Sequence, residues 1–173
     1  NIAYYMANLG KIKVLLIDFN LGEGQTDLAF RLNLPEIPNM GIFIKNTEKS
    51  PQSLWESIYQ LKELNIDILQ PPLTLEQSDQ ITVDMIDEMV YSARKKYDYI
   101  VVDLPYSYQN NVLEMINIST KLLLVLTPNM GAVGRANKLL KYLPQQQYQK
   151  AVINRAPADE SQKKNLKREL NID

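Results

Sequence analysis

Five short runs that are apolar at consecutive positions constrain this chain more than any other feature of it. Lys13-Val14-Leu15-Leu16-Ile17 is entered from Gly10 and left through Asp18, and Ile66-Asp67-Ile68-Leu69 stops at Pro71-Pro72. Tyr99-Ile100-Val101-Val102 ends at Asp103 and Pro105, Leu122–Leu126 at Thr127-Pro128, and Ala151-Val152-Ile153 at Asn154. Strands that do not alternate apolar with polar residues are expected to be covered on both faces, as in a parallel sheet flanked by helices. The segments between them have helical spacing. Ile86, Met89, Val90, Ala93 and Tyr97 form one stripe, Val133, Ala136, Leu139, Leu140 and Leu143 another. Leu54, Ile58 and Leu61 are read as a third helical face, begun by Ser50-Pro51 with proline in the first turn. Residues 1–9 read as the end of a helix stopped by Gly10, and residues 159–170 as a polar helix whose basic face (Lys163, Lys164, Lys167, Arg168) is solvated. With right-handed crossovers this alternation predicts a doubly wound α/β fold, its sheet mostly parallel. A length of 173 residues suits a single domain over 1–173.

What such a fold could do is narrowed by the residues it lacks. With no His and no Cys, the chain holds no Ser-His-Asp triad, no thiol nucleophile and no imidazole or thiolate zinc site. Chemistry is left to carboxylates, Lys and Arg, hydroxyls, backbone amides and a hard cation such as Mg²⁺. A formal net charge of −1 supplies no overall attraction to nucleic acid or an anionic membrane. None of the apolar runs approaches the roughly 20 residues of a membrane-spanning helix, and residues 1–7 lack the features of a signal peptide. The expectation is a cytoplasmic protein, with this chain beginning inside an element.

In open parallel sheets, ligands bind at the carboxyl ends of the strands. Here those ends carry Asp18-Phe19-Asn20, Asp103-Leu104-Pro105 and Asn154-Arg155. Two carboxylates just beyond apolar strands suit a Mg²⁺ held directly or through water; the alternative is that each Asp caps the turn or helix that follows. The glycines say less. Gly22-Glu23-Gly24 is not a dinucleotide fingerprint, and Gly131-Ala132-Val133-Gly134 opens an amphipathic helix. Met85, Met89 and Met115 read as core. Tyr97, Tyr99, Tyr106 and Tyr108 fall on different elements and form no stacking platform for bases.

Taken in order, these segments resemble the ParA/MinD superfamily of deviant P-loop ATPases, and within it the CpaE/TadZ branch that positions pilus-assembly machinery. Residues 1–18 look like the helix after the P-loop and the strand bearing the second acidic motif. Leu21-Gly22-Glu23-Gly24-Gln25-Thr26-Asp27-Leu28-Ala29 and Ile68-Leu69-Gln70-Pro71-Pro72 resemble the CpaE branch. Tyr97-Asp98-Tyr99-Ile100-Val101-Val102-Asp103-Leu104-Pro105 resembles its Walker B segment. Leu124-Val125-Leu126-Thr127-Pro128, Arg135–Leu140 and Val152-Ile153-Asn154-Arg155 resemble the remaining strands and helix.

The resemblance implies a SIMIBI-like P-loop NTPase fold, truncated here before its first strand and P-loop and short of some C-terminal residues. It implies ATP and Mg²⁺ as ligands of the intact parent, with Asp103 near Mg²⁺ through water, Asp18 beside the γ-phosphate and metal, and Asn154 with Arg155 at the adenine. Asn20 stands where the family carries a water-orienting Asp, and an amide cannot take a proton, so slow hydrolysis is expected. The implied activity is a nucleotide-dependent homodimer that positions a pilus, secretion or other polar complex, at a pole or against the inner membrane surface and touching the membrane only indirectly. A degenerate scaffold of the same fold and a ParA-type DNA partition ATPase are the alternatives. The near-neutral charge speaks against the second, because sequence-independent DNA binding needs basic patches.

Overall fold

The computed structural model describes residues 2–22, 24–46, 49–143, 148–155 and 159–170. The chain divides into two compact units, Asn1–Val112 and Leu113–Asp173.

The first unit is built on a four-stranded sheet. Its strands are β1 (Val14–Asp18), β2 (Ile58–Leu61), β3 (Ile66–Leu69) and β4 (Tyr99–Asp103), in the order β2-β3-β1-β4. β1 lies between β3 and β4 and runs parallel to both, with Leu16 opposite Ile68 on one side and Val101 on the other. Its helices are α1 (Ile2–Ala7), α2 (Asp27–Leu32), α3 (Met40–Lys45), α4 (Pro51–Glu56), α5 (Leu75–Ser78) and α6 (Val83–Arg94). Both faces of β1 are covered. Val14 and Leu16 pack in a cluster with Ala3 and Ala7 of α1, Ala29 of α2, Leu34 and Ile68. Leu15 and Ile17, which alternation sends to the other face, are fully buried.

The second unit holds β5 (Lys121–Leu126) and β6 (Tyr148–Ile153), a parallel pair in which Leu126 lies opposite Ile153, together with α8 (Met130–Leu140) and α9 (Glu160–Glu169). α7 (Asn110–Asn117) spans the boundary in sequence and buries Val112, Met115 and Ile116. The α8 stripe is buried at Val133, Ala136 and Leu139. Gly131 and Gly134 lie inside this helix, whose N-cap is Asn129. On α9, Lys164 and Arg168 are exposed as expected of a solvated face; the side chains of Lys163 and Lys167 lie outside the described residues.

Two expectations are corrected. Leu54, Ile58 and Leu61 do not share a helix. Ser50 caps α4 through Ser53 N and Pro51 starts it, but the helix ends at Glu56, and Ile58 and Leu61 belong to β2, antiparallel to β3. A 3₁₀ turn over Lys62–Leu64 and Asn65 in the left-handed region (φ 55°) return the chain within a few residues. Such a tight hairpin can only be antiparallel, and it puts one reversed strand on the edge of an otherwise parallel sheet. Nor are all the apolar strands buried on both faces. β1 is, but every residue of β4 keeps some exposure, and β5 alternates, with Leu124 and Leu126 buried and Leu123 and Val125 exposed.

The loop from α2 to α3 is fixed by amides as well as by the burial of Leu34. Gln70, directly after β3 and only 4% exposed, donates to the carbonyls of Pro35 (2.9 Å) and Pro38 (3.2 Å), while its own carbonyl accepts from Met40 N (2.9 Å). The Gln25 amide closes over α2 to reach the Leu34 carbonyl at 3.2 Å. A second polar cluster joins the amino ends of the strands to the helices. Tyr97, 6% exposed, donates to Asp67 of β3 at 2.6 Å. Lys96 lies 3.7 Å from the same carboxylate and stands over the rings of Trp55 and Tyr97. Burial, followed by the bond to and the charge of Asp67, pushes the Tyr97 phenol well above its ordinary value.

Candidate functional site

Three of the residues singled out from the sequence come together at the carboxyl ends of β1 and β4. The parallel register pairs Asp18 with Asp103 as the last residues of adjacent strands. The ladder continues one step further, with Phe19 N donating to the Asp103 carbonyl at 2.9 Å. Phe19 is wholly buried and anchors the chain as it leaves the sheet. Turn bonds from Leu21 N to the Phe19 carbonyl and from Gly22 N to the Asn20 carbonyl fold the next residues back over the strand ends.

Asn20 bridges the two acids. Its side-chain nitrogen lies 2.8 Å from Asp18 Oδ1 and 3.5 Å from Asp103 Oδ2, and its backbone N–H also reaches Asp18 Oδ1 at 3.2 Å. Both neighbours of that amide accept hydrogen bonds, so its NH₂ end, not its oxygen, must face them. Asp18 thus retains part of the turn-capping role considered as its alternative reading, through Asn20 N.

The two carboxylates differ in setting. Asp18 is 1% exposed. A buried charge is tolerable only if its lone pairs are satisfied, and three donors do this: the backbone and side-chain N–H groups of Asn20 on Oδ1, and the Thr26 hydroxyl on Oδ2. Thr26 is also the N-cap of α2, accepting from Ala29 N at 3.2 Å. Asp103 is exposed. Desolvation, then the charge of Asp18, raise the pKa of its carboxyl, against a lowering contribution from the Asn20 amide.

This donor set fits a hard divalent cation, because it is all oxygen and one of its carboxylates faces solvent. A cation near Asp103 would also relieve the repulsion that lifts its proton affinity. Among the described residues no group of three or more His, Cys, Asp or Glu side chains is gathered to hold a metal.

Asn154 and Arg155 belong to the second unit, in the turn after β6. Both are exposed; Asn154 N donates to the Leu126 carbonyl at 2.8 Å, and Arg155 adopts the left-handed region at φ 57°. Met89 and Met115 are core, as read from their spacing, whereas Met85 is only partly buried, and Tyr106 and Tyr108 pair edge to face. Sequence reasoning missed Thr26 as a member of the site. Its signal was local: a Thr before Asp27-Leu28-Ala29 is an N-cap pattern, but the strand end it would meet lies eight residues upstream.

No protein-family model matches the chain. It is 30% identical over 149 residues to an uncharacterised ATP-binding protein of Methanocaldococcus jannaschii, an alignment that covers 80% of this chain and 50% of that protein. The chain spans about half the length of the curated relatives it matches. Its fold is that of a ParA family ATPase from Chlorobium tepidum (TM-score 0.83, 21% identity, covering 98% of this chain and 72% of the other). It is also that of the septum site-determining protein MinD of Pyrococcus horikoshii, solved with Mg-ADP (TM-score 0.75, 19% identity, covering 99% and 71%). The relatives and the neighbouring folds together support the ParA/MinD superfamily of P-loop ATPases. Among the described residues no helix is long and apolar enough to cross a membrane.

Proposed function

We propose, from the support for that superfamily, that the protein is an ATP-binding switch whose nucleotide face includes the carboxyl ends of β1 and β4. The observation that carries this reading is the pairing of Asp18 with Asp103 at one register position, bridged by Asn20. In this reading Asp103, the exposed acid, holds Mg²⁺ through water, and Asp18 stands behind it as a fixed negative charge beside the γ-phosphate. The cation would neutralise phosphate charge and fix the phosphates' orientation. Asn20 offers an amide to orient the attacking water but cannot accept its proton. Loss of a positioned proton acceptor costs about 10²–10⁴ in rate, so hydrolysis is slow and the bound state long-lived. Asn154, with Arg155, contacts the adenine. The protein acts as a single ATPase-like domain and dimerises when ATP is bound. The dimer associates with a pilus, secretion or other polar complex.

The test is a titration of the natural full-length polypeptide with a fluorescent ATP analogue, with and without Mg²⁺, followed by phosphate release and sedimentation. Micromolar binding that Mg²⁺ strengthens, slow turnover and an ATP-dependent dimer support the reading. Asn20 also favours a second reading, a scaffold of the same fold that no longer turns over nucleotide. A dimer of equal strength with and without ATP would select that alternative.

A further inference from the structure

The Asp18 carboxylate is almost fully enclosed. Oδ1 is taken by Asn20 and Oδ2 by Thr26, and the residue is 1% exposed. An acid so enclosed shows almost no oxygen surface to a cation, whereas Asp103, one strand over, is exposed. The two acids therefore have different tasks, and the group that enforces the difference on the α2 side is the Thr26 hydroxyl. A hydroxyl has one proton to give and lone pairs to receive. Thr26 gives its proton to Asp18 and receives Ala29 N. Its direction is set from both sides, and with it the plane of the Asp18 carboxylate.

We propose that Thr26 is a positioning residue. It locks Asp18 as a buried counter-charge that acts on the cation through the intervening site, and so leaves Asp103 as the acid that meets the metal's water shell. This rests on the nucleotide-and-metal reading of the site given above.

Three forms of the full-length polypeptide separate this role from simple helix capping: wild type, Thr26→Ser and Thr26→Gly. Serine keeps both hydrogen bonds. Glycine is nearly as good an N-cap as threonine but has no proton for Asp18. With Mn²⁺ as a paramagnetic stand-in for Mg²⁺, the Mn²⁺ affinity of the ATP-bound protein is read by electron paramagnetic resonance. Metal-free ATP binding is measured beside it. Thr26→Gly is expected to lose about tenfold in Mn²⁺ affinity, the scale of a hydrogen bond to a charged group, with metal-free ATP binding unchanged and Thr26→Ser close to wild type. Unchanged Mn²⁺ affinity in the Gly form overturns the proposal. So does a Ser form as impaired as the Gly form, or a parallel loss of metal-free ATP binding.

If the wild type binds no Mn²⁺ with ATP, the nucleotide reading is what fails. The lock is then judged without metal, from the Asp18 carboxyl carbon resonance. A shift in the Gly form that the Ser form restores upholds the lock, and a resonance indifferent to both substitutions removes it.

Discussion

The side-chain amide of Asn20 stands between two carboxylates that one strand register brings side by side, 2.8 Å from Asp18 Oδ1 and 3.5 Å from Asp103 Oδ2. It is a neutral spacer that donates to both acids. An aspartate in its place would put three carboxylates in contact and remove the side-chain donor.

The substitution Asn20→Asp should therefore separate stability from turnover. Without metal, the variant is expected to lose about 1–3 kcal/mol, the range for leaving a buried charged acceptor without its partner, read as a lower urea midpoint. With Mg²⁺ and ATP, its phosphate release should rise by about 10²–10⁴, the contribution of a positioned proton acceptor. Equal turnover in the two forms would dismiss Asn20 as the brake.

Asp103 makes a prediction whose sign depends on pH. Its folded-state pKa is raised by desolvation and by Asp18, so the native state holds this proton more tightly than the unfolded chain does. The stabilisation is present at low pH, where the carboxyl is protonated, and is lost as pH rises through the raised value. Asp103→Asn, in EDTA, should be more stable than wild type above that titration and indistinguishable below it. Urea unfolding at a series of pH values across and above the carboxylate range is the measurement, and a difference independent of pH would contradict it.

Tyr97 extends the same reasoning to alkali. Its phenol pKa is raised by burial and by Asp67, so its contribution to stability is complete below the ordinary tyrosine value near 10 and falls away as pH climbs above that. Tyr97→Phe removes the 2.6 Å bond to Asp67 and should cost about 1.5–3 kcal/mol at neutral pH, as for a hydrogen bond to a charged acceptor. The gap between wild type and variant should narrow above about pH 10, since only the wild type carries this titration. A constant gap between pH 7 and 12 would refute the assignment.

Much of this was legible in the sequence because the strands at the site are short apolar runs with sharp stopping residues. Val14–Asp18, Ile66–Leu69 and Tyr99–Asp103 could be placed from their composition and their stopping residues, and once the strands are parallel, Asp18 and Asp103 must share an end. Ile58 and Leu61 were not legible. With Leu54 they satisfy helical spacing, and only the hairpin to β3 distinguishes a strand. The half-exposure of β4 and β5 was hidden for a related reason: an unbroken apolar run does not say how many of its faces are covered. Thr26 was invisible as a site residue because its contact with Asp18 is tertiary, made only when α2 is laid against the end of β1.

Gln70 offers a test of the loop that carries α3. Gln70→Leu keeps the backbone bond from Met40 N but leaves the Pro35 and Pro38 carbonyls without the amide that serves them. A loss of about 0.5–1.5 kcal/mol is expected, the net worth of a typical hydrogen bond to a partly buried acceptor, measured by chemical denaturation. A change within a few tenths would mean that water replaces the amide.

The Gln25 clasp on the Leu34 carbonyl ties the lead-in of α2 to the residue that follows it, and so sets the mechanical grain of this corner of the molecule. On the far side of Gln25, Gly24 at positive φ donates its N–H to the Leu73 carbonyl at 2.9 Å, so the hydroxyl that meets Asp18 is carried on a backbone tethered to two other segments of the chain.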